Sequence, residues 1–190
     1  MTPISLLAPK RFPTLPAVAG MRLATAACGI KYQERADVLL ADLVAGTTVA
    51  GALTQSKTAA ASIEWCREIL PNNEVRGLVA NSGNANAFTG QQGLKDVRLI
   101  SEMAADLIGC SANQIFVAQT GVIGERLPVE RITKIMPNLY GGWSSNWREA
   151  AIAICTTDTF PKAASRKVKI ANKEVVISGC LLYTSDAADD

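Results

Sequence analysis

The sequence predicts a mixed α/β or α+β sandwich, and three observations lead to this fold class. Helical patterns of apolar residues alternate along the chain with short apolar runs of strand length. Two of the later runs are separated by only a few turn-forming residues, which is typical of an antiparallel hairpin. Hairpins together with strand–helix alternation indicate a mixed sheet rather than a purely parallel one.

The composition is that of a globular protein and argues against several functional classes. Of the 190 residues, 48% are hydrophobic and 19% are charged, and the net charge is +2. The sequence has no basic cluster interleaved with aromatic residues, so no nucleic-acid partner is expected. No apolar run approaches the roughly 20 residues that span a membrane, so no membrane partner is expected either. The chain contains no histidine, which excludes histidine triads and histidine metal sites within it.

The cysteine pattern favours a reduced protein. The count is odd and no pair is spaced as CxxC, so neither a zinc site nor a secreted disulfide framework is expected. The first residues lack the charged and apolar regions of a signal peptide. A cytoplasmic location, mostly buried cysteines and no metal or cofactor are therefore predicted.

The first third of the chain is predicted to form an arm, two strands and a helix. Residues 1–20 contain four prolines and are expected to lie over the surface as an extended arm. Residues 38–43 and 48–54 are apolar runs around an Ala-Gly turn and are interpreted as two strands. Residues 58–70 place their apolar side chains on one side and end before a proline, which predicts a helix.

The centre of the chain is predicted to alternate between strand, loop and helix. Residues 75–80 are interpreted as a buried strand that leads into a loop at 81–86, where three asparagines and a glycine are turn formers. Apolar residues at three- and four-residue spacing predict a helix over 94–108, capped by Gly109. A short strand at 115–118 and a loop at 119–124 complete this region.

The last third is predicted to contain two helices and a hairpin. A helix at 128–136 is expected to begin at a proline and to stop at Pro137. Another helix is expected at 147–155. Residues 166–170 and 174–178 are interpreted as the two strands of a β-hairpin. Residues 181–190 show no periodic pattern, are acidic at the end, and fit none of the preceding structure.

Three polar segments are candidates for chemistry. Residues 81–90 are either a stiff, self-satisfied turn or a substrate-contacting loop. Thr120 and Gly121 either form an ordinary turn or direct a hydroxyl and a backbone N–H at a developing oxyanion. Residues 156–162 are either a helix end and turn or a site whose hydroxyls, carboxylate and ammonium suit a zwitterionic amino acid.

Taken together, these segments resemble the bifunctional glutamate N-acetyltransferase/ornithine acetyltransferase family of arginine biosynthesis. The similarity extends over about residues 5–179 and includes the opening arm and the final hairpin. Three motifs occur in the family's order, so chance agreement is improbable: VANSGNANAFTGQQG at 79–93, QTGVIGERLP at 119–128 and AICTTDTFPK at 153–162.

The resemblance implies a fold, a reaction and a set of site residues. The fold is an αββα-type sandwich of the self-cleaving class, incomplete in this chain. An acetyl group passes from N2-acetylornithine to a threonine and then to glutamate, with acetyl-CoA as a further donor in some members. Thr120 and Gly121 match the oxyanion-hole pair. Thr156 matches a substrate-binding threonine, with Thr157 and Thr159 as alternatives for the contacting hydroxyl.

The resemblance also implies a partner and a boundary. In the family, self-cleavage yields an α chain and a β chain that assemble, and the new N-terminal threonine of the β chain is the nucleophile. The family motif with that threonine and a substrate-binding lysine has no counterpart after Gly179. Residues 1–179 are therefore interpreted as the α-chain domain and 180–190 as an unrelated tail, and the chain alone is expected to be inactive. The alternatives are an N-terminal-nucleophile aminopeptidase or amidase, and a non-catalytic binding module.

Overall fold

The structure, a computed structural model, describes residues 5, 6, 8–144 and 146–180. The described residues form six strands and four α-helices, and the predicted α+β class is confirmed. In chain order these elements are β1 (Met21–Ala26), β2 (Val38–Leu43), α1 (Ala61–Ile69), β3 (Gly77–Asn84), α2 (Gly90–Ile108), β4 (Ile115–Val122), α3 (Val129–Gly141), α4 (Trp147–Ala153), β5 (Ala163–Ile170) and β6 (Lys173–Cys180).

A four-stranded sheet and a separate hairpin make up the β structure. The sheet has the order β1-β2-β3-β4, in which β1, β2 and β3 are antiparallel neighbours and β4 is parallel to β3. The parallel pair is joined by α2, as a crossover between parallel strands requires. The mixed sheet predicted from the sequence is therefore present, with β4 at one edge.

The sheet has helices on both faces, and the strand period of two separates the residues that each set of helices covers. Helices α1, α2 and α3 pack on the face that carries Ala24, Leu40, Val79 and Val117. The short helix α4 packs over β1 and β2 on the opposite face, against Leu23, Leu39, Ala41 and Ala80. Consecutive side chains near the end of one strand thus lie on opposite faces of the sheet, under different helices.

The first strands differ from the prediction at two points. The strand at 38–43 is confirmed as β2, but the strand predicted at 48–54 is wrong: only Thr48 forms a bridge, to Glu74, and the rest is irregular. Both edges of β2 are already occupied, by β1 and β3, so residues 48–54 have no place in the ladder. Strand β1 was not predicted, although its Met-Arg-Leu sequence starts on an alternating pattern.

Strands β3 and β4 are longer than predicted and include residues that were expected in loops. β3 continues through Asn84 and β4 through Val122, and the two strands stay paired to their last residues. The loop assignments for 81–84 and 119–122 are therefore wrong. Turn-forming side chains are accommodated in the ladder because their polar atoms are satisfied: Asn81 donates to the carbonyl of Asn84 and accepts from Gln119 of β4, each at 2.9 Å.

The four predicted helices are confirmed, with different ends. Helix α2 ends at Gly109, which adopts a left-handed φ of 78° as a C-cap requires. Helix α3 does not stop at Pro137 but continues to Gly141. A proline in a helix removes one backbone hydrogen bond, yet Met136 and Leu139 on either side are almost completely buried, and this packing holds the helix through the proline.

The hairpin and the arm agree with the prediction. β5 and β6 pair over their whole length, and the turn at Ala171 and Asn172 has φ of 47° and 64°, the positive values that a tight hairpin turn needs. Residues 8–20 contain neither helix nor strand. Of the tail predicted at 180–190, Cys180 is the last residue of β6 and pairs with Ala163. Residues 181–190 lie outside the described residues, so their separation from the preceding domain stays a prediction.

Candidate active site at the end of the sheet

A network of buried amides holds the carboxyl end of β3 on the α2 side of the sheet. Gln119 donates to the side chain of Asn81 at 2.9 Å and accepts from Asn86 at 3.0 Å. Asn86 also donates to the carbonyl of Gly93 at 3.1 Å, which fixes the start of α2. All three asparagines, at 81, 84 and 86, are almost fully buried. Because the polar atoms of these asparagines form hydrogen bonds within the protein, the structure favours the interpretation of residues 81–86 as a stiff, self-satisfied segment rather than a substrate-contacting loop.

Gly121 lies where the two parallel strands come closest together. Its φ is 136°, and a Cβ atom there would lie 2.3 Å from the carbonyl carbon of Gly83 and 2.5 Å from the nitrogen of Asn84. No side chain fits into that space. The Thr120-Gly121 pair is therefore part of a tight strand end rather than an ordinary surface turn, and its backbone is fixed by its neighbour.

Thr120 lies on the opposite face from the amide network. Its register partner in β3 is Ser82, and paired residues of a parallel ladder share a face. Thr120 is half-buried, whereas Ser82 is completely buried. Since β4 is an edge strand, half of its backbone N–H and C=O groups are not used by β3. A hydroxyl and free backbone donors are thus available at the same strand end.

Thr156 lies at the end of α4 on the same face of the sheet as Thr120. Its backbone N–H donates to Asp158 at 3.4 Å and its carbonyl accepts from the hydroxyl of Tyr32 at 3.1 Å. Its own hydroxyl oxygen is buried and has no hydrogen-bond partner among the described residues. A buried hydroxyl without a hydrogen-bond partner costs free energy unless a ligand or another group forms a hydrogen bond with it.

The neighbouring threonines differ from Thr156. Thr157 is exposed, and the hydroxyl of Thr159 accepts a hydrogen bond from the backbone of Ser5 at 3.4 Å. The ion pair of Asp158 with Lys162 is largely buried, the carboxylate side chain being 1% exposed. Of the three candidate hydroxyls in this motif, only that of Thr156 is directed into the interior with no other described partner.

The loop between β1 and β2 connects these segments, and the sequence analysis did not single it out. Arg35 donates to the backbone carbonyl of Cys155 and, at 3.4 Å, to the hydroxyl of Ser82. Its guanidinium carbon lies 3.8 Å from the ring centroid of Tyr32, which in turn contacts Thr156. One Tyr and one Arg three residues apart carry no distinctive signal in the sequence, so only the fold reveals this connection.

A buried carboxylate organises that loop. Both oxygens of Asp37 accept backbone N–H groups, from Cys28 and from Ile30, each at 2.7 Å. Asp37 is completely buried, and its backbone carbonyl also accepts the N–H of Ser82. Burial, and then the nearby carboxylate of Asp37, raises the pKa of the Cys28 thiol to about 12. This thiol is therefore protonated at neutral pH and is a poor nucleophile.

A cavity of about 300 Å³ lies beyond the ends of β3 and β4. Gly83, Asn84 and Val122 form its floor. Three cationic side chains and one carboxylate surround it, those of Lys31, Arg126, Arg131 and Glu125. Its position at the carboxyl ends of parallel strands is one at which α/β proteins commonly bind ligands, and its excess of positive charge suits a carboxylate-bearing molecule.

The described part of the chain contains no group of three or more Cys, Asp or Glu side chains placed to hold a metal ion. None of its helices has the length and apolar character needed to cross a membrane.

Known proteins of similar sequence span nearly all of this chain. Arginine biosynthesis bifunctional protein ArgJ of Mesorhizobium japonicum is 47% identical over 179 residues, which are 94% of this chain and 43% of the relative. The corresponding protein of Bradyrhizobium diazoefficiens is 48% identical over 93% of this chain and 43% of the relative. That of Gluconobacter oxydans is 46% identical over 99% and 44%. The chain thus spans less than half the length of these relatives.

Solved structures and a family model agree with this similarity. The bifunctional protein ArgJ of Bacillus halodurans superposes with a TM-score of 0.78 at 27% identity, covering 86% of both chains. Ornithine acetyltransferase of Mycobacterium tuberculosis, crystallised with ornithine, gives 0.77 at 28% identity over 86% of this chain and 88% of that one. The sequence model of the ArgJ family matches residues 22–181. The chain therefore belongs to the ArgJ family.

Proposed function

We propose that this chain forms part of an acetyltransferase that moves an acetyl group from N2-acetylornithine to glutamate in arginine biosynthesis, through an acyl-threonine intermediate. The observation that supports this most is geometric. Thr120 and the end of α4 with Thr156, far apart in the sequence, lie on one face of the sheet and are connected through Ser82 and Arg35. Family membership supports the proposed reaction, and this convergence supports the proposed location of the site.

In this proposal Thr120 and Gly121 stabilise the negative charge that develops on the carbonyl oxygen during acyl transfer. A hydroxyl and a backbone N–H fixed at a strand end need little reorganisation when that charge appears. The contact between Gly121 and the backbone of Gly83 and Asn84 keeps the strand end rigid. Such rigidity is the physical requirement for a pre-organised oxyanion hole.

Thr156 is proposed to bind substrate, and its buried hydroxyl without a described partner supports this choice over Thr157 and Thr159. The basic cavity beyond β3 and β4 is proposed to receive a substrate carboxylate, since both N2-acetylornithine and glutamate carry one. The Mycobacterium tuberculosis relative was crystallised with ornithine, which is consistent with an amino-acid site in this fold.

The proposal assigns the nucleophile to a β chain released from the same precursor, which makes the functional unit a hetero-oligomer of α and β chains in the cytoplasm. Among the described residues, the cysteines all have raised pKa values, chiefly because of burial. These thiols are unsuited to covalent catalysis at neutral pH. Acetyl-CoA is a second acetyl donor to be tested, and no metal or other cofactor is invoked.

The test is an acetyl-transfer assay on a full-length family protein that carries this segment. Incubation with N2-acetylornithine and glutamate is expected to yield N-acetylglutamate and ornithine, and acetyl-CoA in place of N2-acetylornithine tests the second donor. Hydrolysis of peptide amides without transfer would favour an N-terminal-nucleophile aminopeptidase or amidase instead. Binding of ornithine without any turnover would favour a non-catalytic binding module.

A further inference from the structure

The loop between β1 and β2 reaches across the candidate site and contacts two of its parts. Arg35 donates to the carbonyl of Cys155, immediately before Thr156, and to the hydroxyl of Ser82, the register partner of Thr120. The same side chain stacks on Tyr32 at 3.8 Å, and the Tyr32 hydroxyl donates to the carbonyl of Thr156 at 3.1 Å. Two adjacent carbonyls at the end of α4 are thus both satisfied by this one loop.

These contacts hold the segment that follows α4. The carbonyls of the last turn of α4 accept backbone N–H groups of the residues that come next in the chain. Beyond the C-cap Ile154, however, the carbonyls of Cys155 and Thr156 accept from Arg35 and Tyr32. A loop more than 115 residues earlier in the sequence thus holds the backbone on both sides of the Thr156 side chain.

Arg35 is itself held in place on several sides. The aromatic ring of Tyr32 orients the guanidinium plane, and Asp37, two residues later, anchors the loop through the N–H groups of Cys28 and Ile30. The Nε atom of Arg35 is buried and has no hydrogen-bond partner among the described residues. Leaving that donor unsatisfied costs free energy, which the contacts of Arg35 with Ser82, Cys155 and Tyr32 must offset.

We propose that Arg35 is a positioning residue for acetyl transfer: by joining Ser82 to the carbonyl of Cys155, it sets the distance and angle between the hydroxyls of Thr120 and Thr156. The proposal rests on the proposed function. It assigns Arg35 no contact with substrate. Its effect is on where the Thr156 hydroxyl lies relative to the oxyanion-stabilising pair, and hence on how a bound substrate is aligned.

The first experiment measures steady-state acetyl transfer by a full-length family protein that carries this segment, with Arg35→Ala, Arg35→Lys and a matched control. Arg98→Ala is the control, because Arg98 lies on α2 and its side chain is 59% exposed. For Arg35→Ala, kcat is expected to fall about 100-fold, the loss associated with a misplacement of around an ångström, with a smaller change in KM. Arg35→Lys is expected to recover little, because an ammonium has no planar group to stack on the ring of Tyr32, which holds the guanidinium at 3.8 Å.

Added guanidinium ion separates positioning from general destabilisation. Millimolar guanidinium is expected to restore part of the kcat of Arg35→Ala, since the small cation fits the vacated site above Tyr32, and to leave Arg98→Ala unchanged. Hydrogen exchange at the amides of residues 155–159 is expected to be about tenfold faster in Arg35→Ala, the change that accompanies loss of one charged hydrogen bond. Exchange in the core of α2 is expected to stay the same.

The outcomes distinguish this inference from the proposed function. If the unaltered protein transfers no acetyl group, the proposed function fails and the role of Arg35 in acetyl transfer fails with it. If the unaltered protein is active but Arg35→Ala has an unchanged kcat, or its exchange at 155–159 is unchanged, the positioning role is overturned while the proposed function stands. A fall in kcat that guanidinium does not restore, accompanied by faster exchange throughout the protein, would mean that Arg35 only stabilises the fold.

Discussion

Gly121 occupies a position where the backbones of two strands leave no room for a side chain. Gly121→Ala is expected to lower the free energy of unfolding by about 1–3 kcal/mol, because the new methyl group must push the ends of β3 and β4 apart. Urea denaturation measures this. Gly124→Ala is the control: Gly124 also has a positive φ, 80°, but no atom lies within 4 Å of its Cβ position. If the free energy of unfolding falls equally in the two variants, the strain of a positive φ, rather than the close contact with β3, causes the loss.

The hypothesis of an oxyanion hole depends on the hydroxyl of Thr120. Thr120→Ala in a full-length family protein is expected to lower kcat by about 10²–10³, the effect of removing one oxyanion donor. The side chain is half-buried and makes no hydrogen bond to other described residues, so the folded structure and its thermal stability are expected to be kept. A raised KM with an unchanged kcat would contradict the hypothesis and would make Thr120 a binding residue.

Cys28 makes stability depend on pH in the alkaline range. The pKa of its thiol is about 12 in the folded chain, against an ordinary value of 9.0. Between these values the unfolded chain releases the proton and the folded chain keeps it, so the free energy of unfolding falls as pH rises. In Cys28→Ser this fall between about pH 9 and 12 is expected to be shallower. Denaturation at a series of pH values measures it, and parallel curves for the two proteins would contradict the assignment.

At the scale of elements, the loop between β1 and β2 is folded around one carboxylate. Asp37→Asn replaces an acceptor of two N–H groups by an amide that accepts only one of them without a donor–donor clash. The free energy of unfolding is expected to fall by about 1.5–3 kcal/mol, the range for a hydrogen bond to a charged group. Asp106→Asn on the exposed side of α2 is the control and is expected to change stability little. A loss of less than about 0.5 kcal/mol in Asp37→Asn would show that the loop is held by other contacts.

Helix α4 is closed locally at both ends, whereas the segment after it is held by a distant loop. At its start, Asn146 accepts backbone N–H groups of the first turn as an N-cap. At its end, the carbonyls of the last turn accept backbone N–H groups of the residues that follow. Beyond the helix, Arg35 and Tyr32 donate to the carbonyls of Cys155 and Thr156. The helix could therefore be predicted from the sequence, whereas the contacts that hold Thr156 could not.

At the scale of the whole molecule, the decisive question is whether the described residues are sufficient for catalysis. Residues 1–179 alone are expected to show no acetyl transfer, because the sequence has no histidine and the described cysteines have raised pKa values. Supplying the C-terminal chain of a family protein is expected to give activity and to raise the soluble yield. Acetyl transfer by residues 1–179 without that chain would contradict this and would mean that the nucleophile lies within them.

Much of the secondary structure could be predicted from local patterns, and the errors at the ends of β3 and β4 share one cause. Apolar spacing identified α2, and the alternating and β-branched runs at 166–170 and 174–178 identified the hairpin. The Asn-rich segment at 81–84 was assigned to a loop because asparagine favours turns in isolation. In the fold, Gln119 and other interior groups satisfy those amides, so pairing with β4 continues through them. Tertiary hydrogen bonds overrode local preference.

Periodicity, turn residues and motif order are properties of neighbouring residues, so the class of fold, the order of most elements and the family could be predicted from the sequence. The same patterns gave Thr120, Gly121 and Thr156 as candidates. The folded chain was needed to show that Thr120 and Thr156 lie on one face, that the hydroxyl of Thr156 is buried whereas Thr157 is exposed, and that Arg35 joins Ser82 to the carbonyl of Cys155. These are contacts between residues more than 30 positions apart, and no local pattern specifies which distant partner a side chain meets.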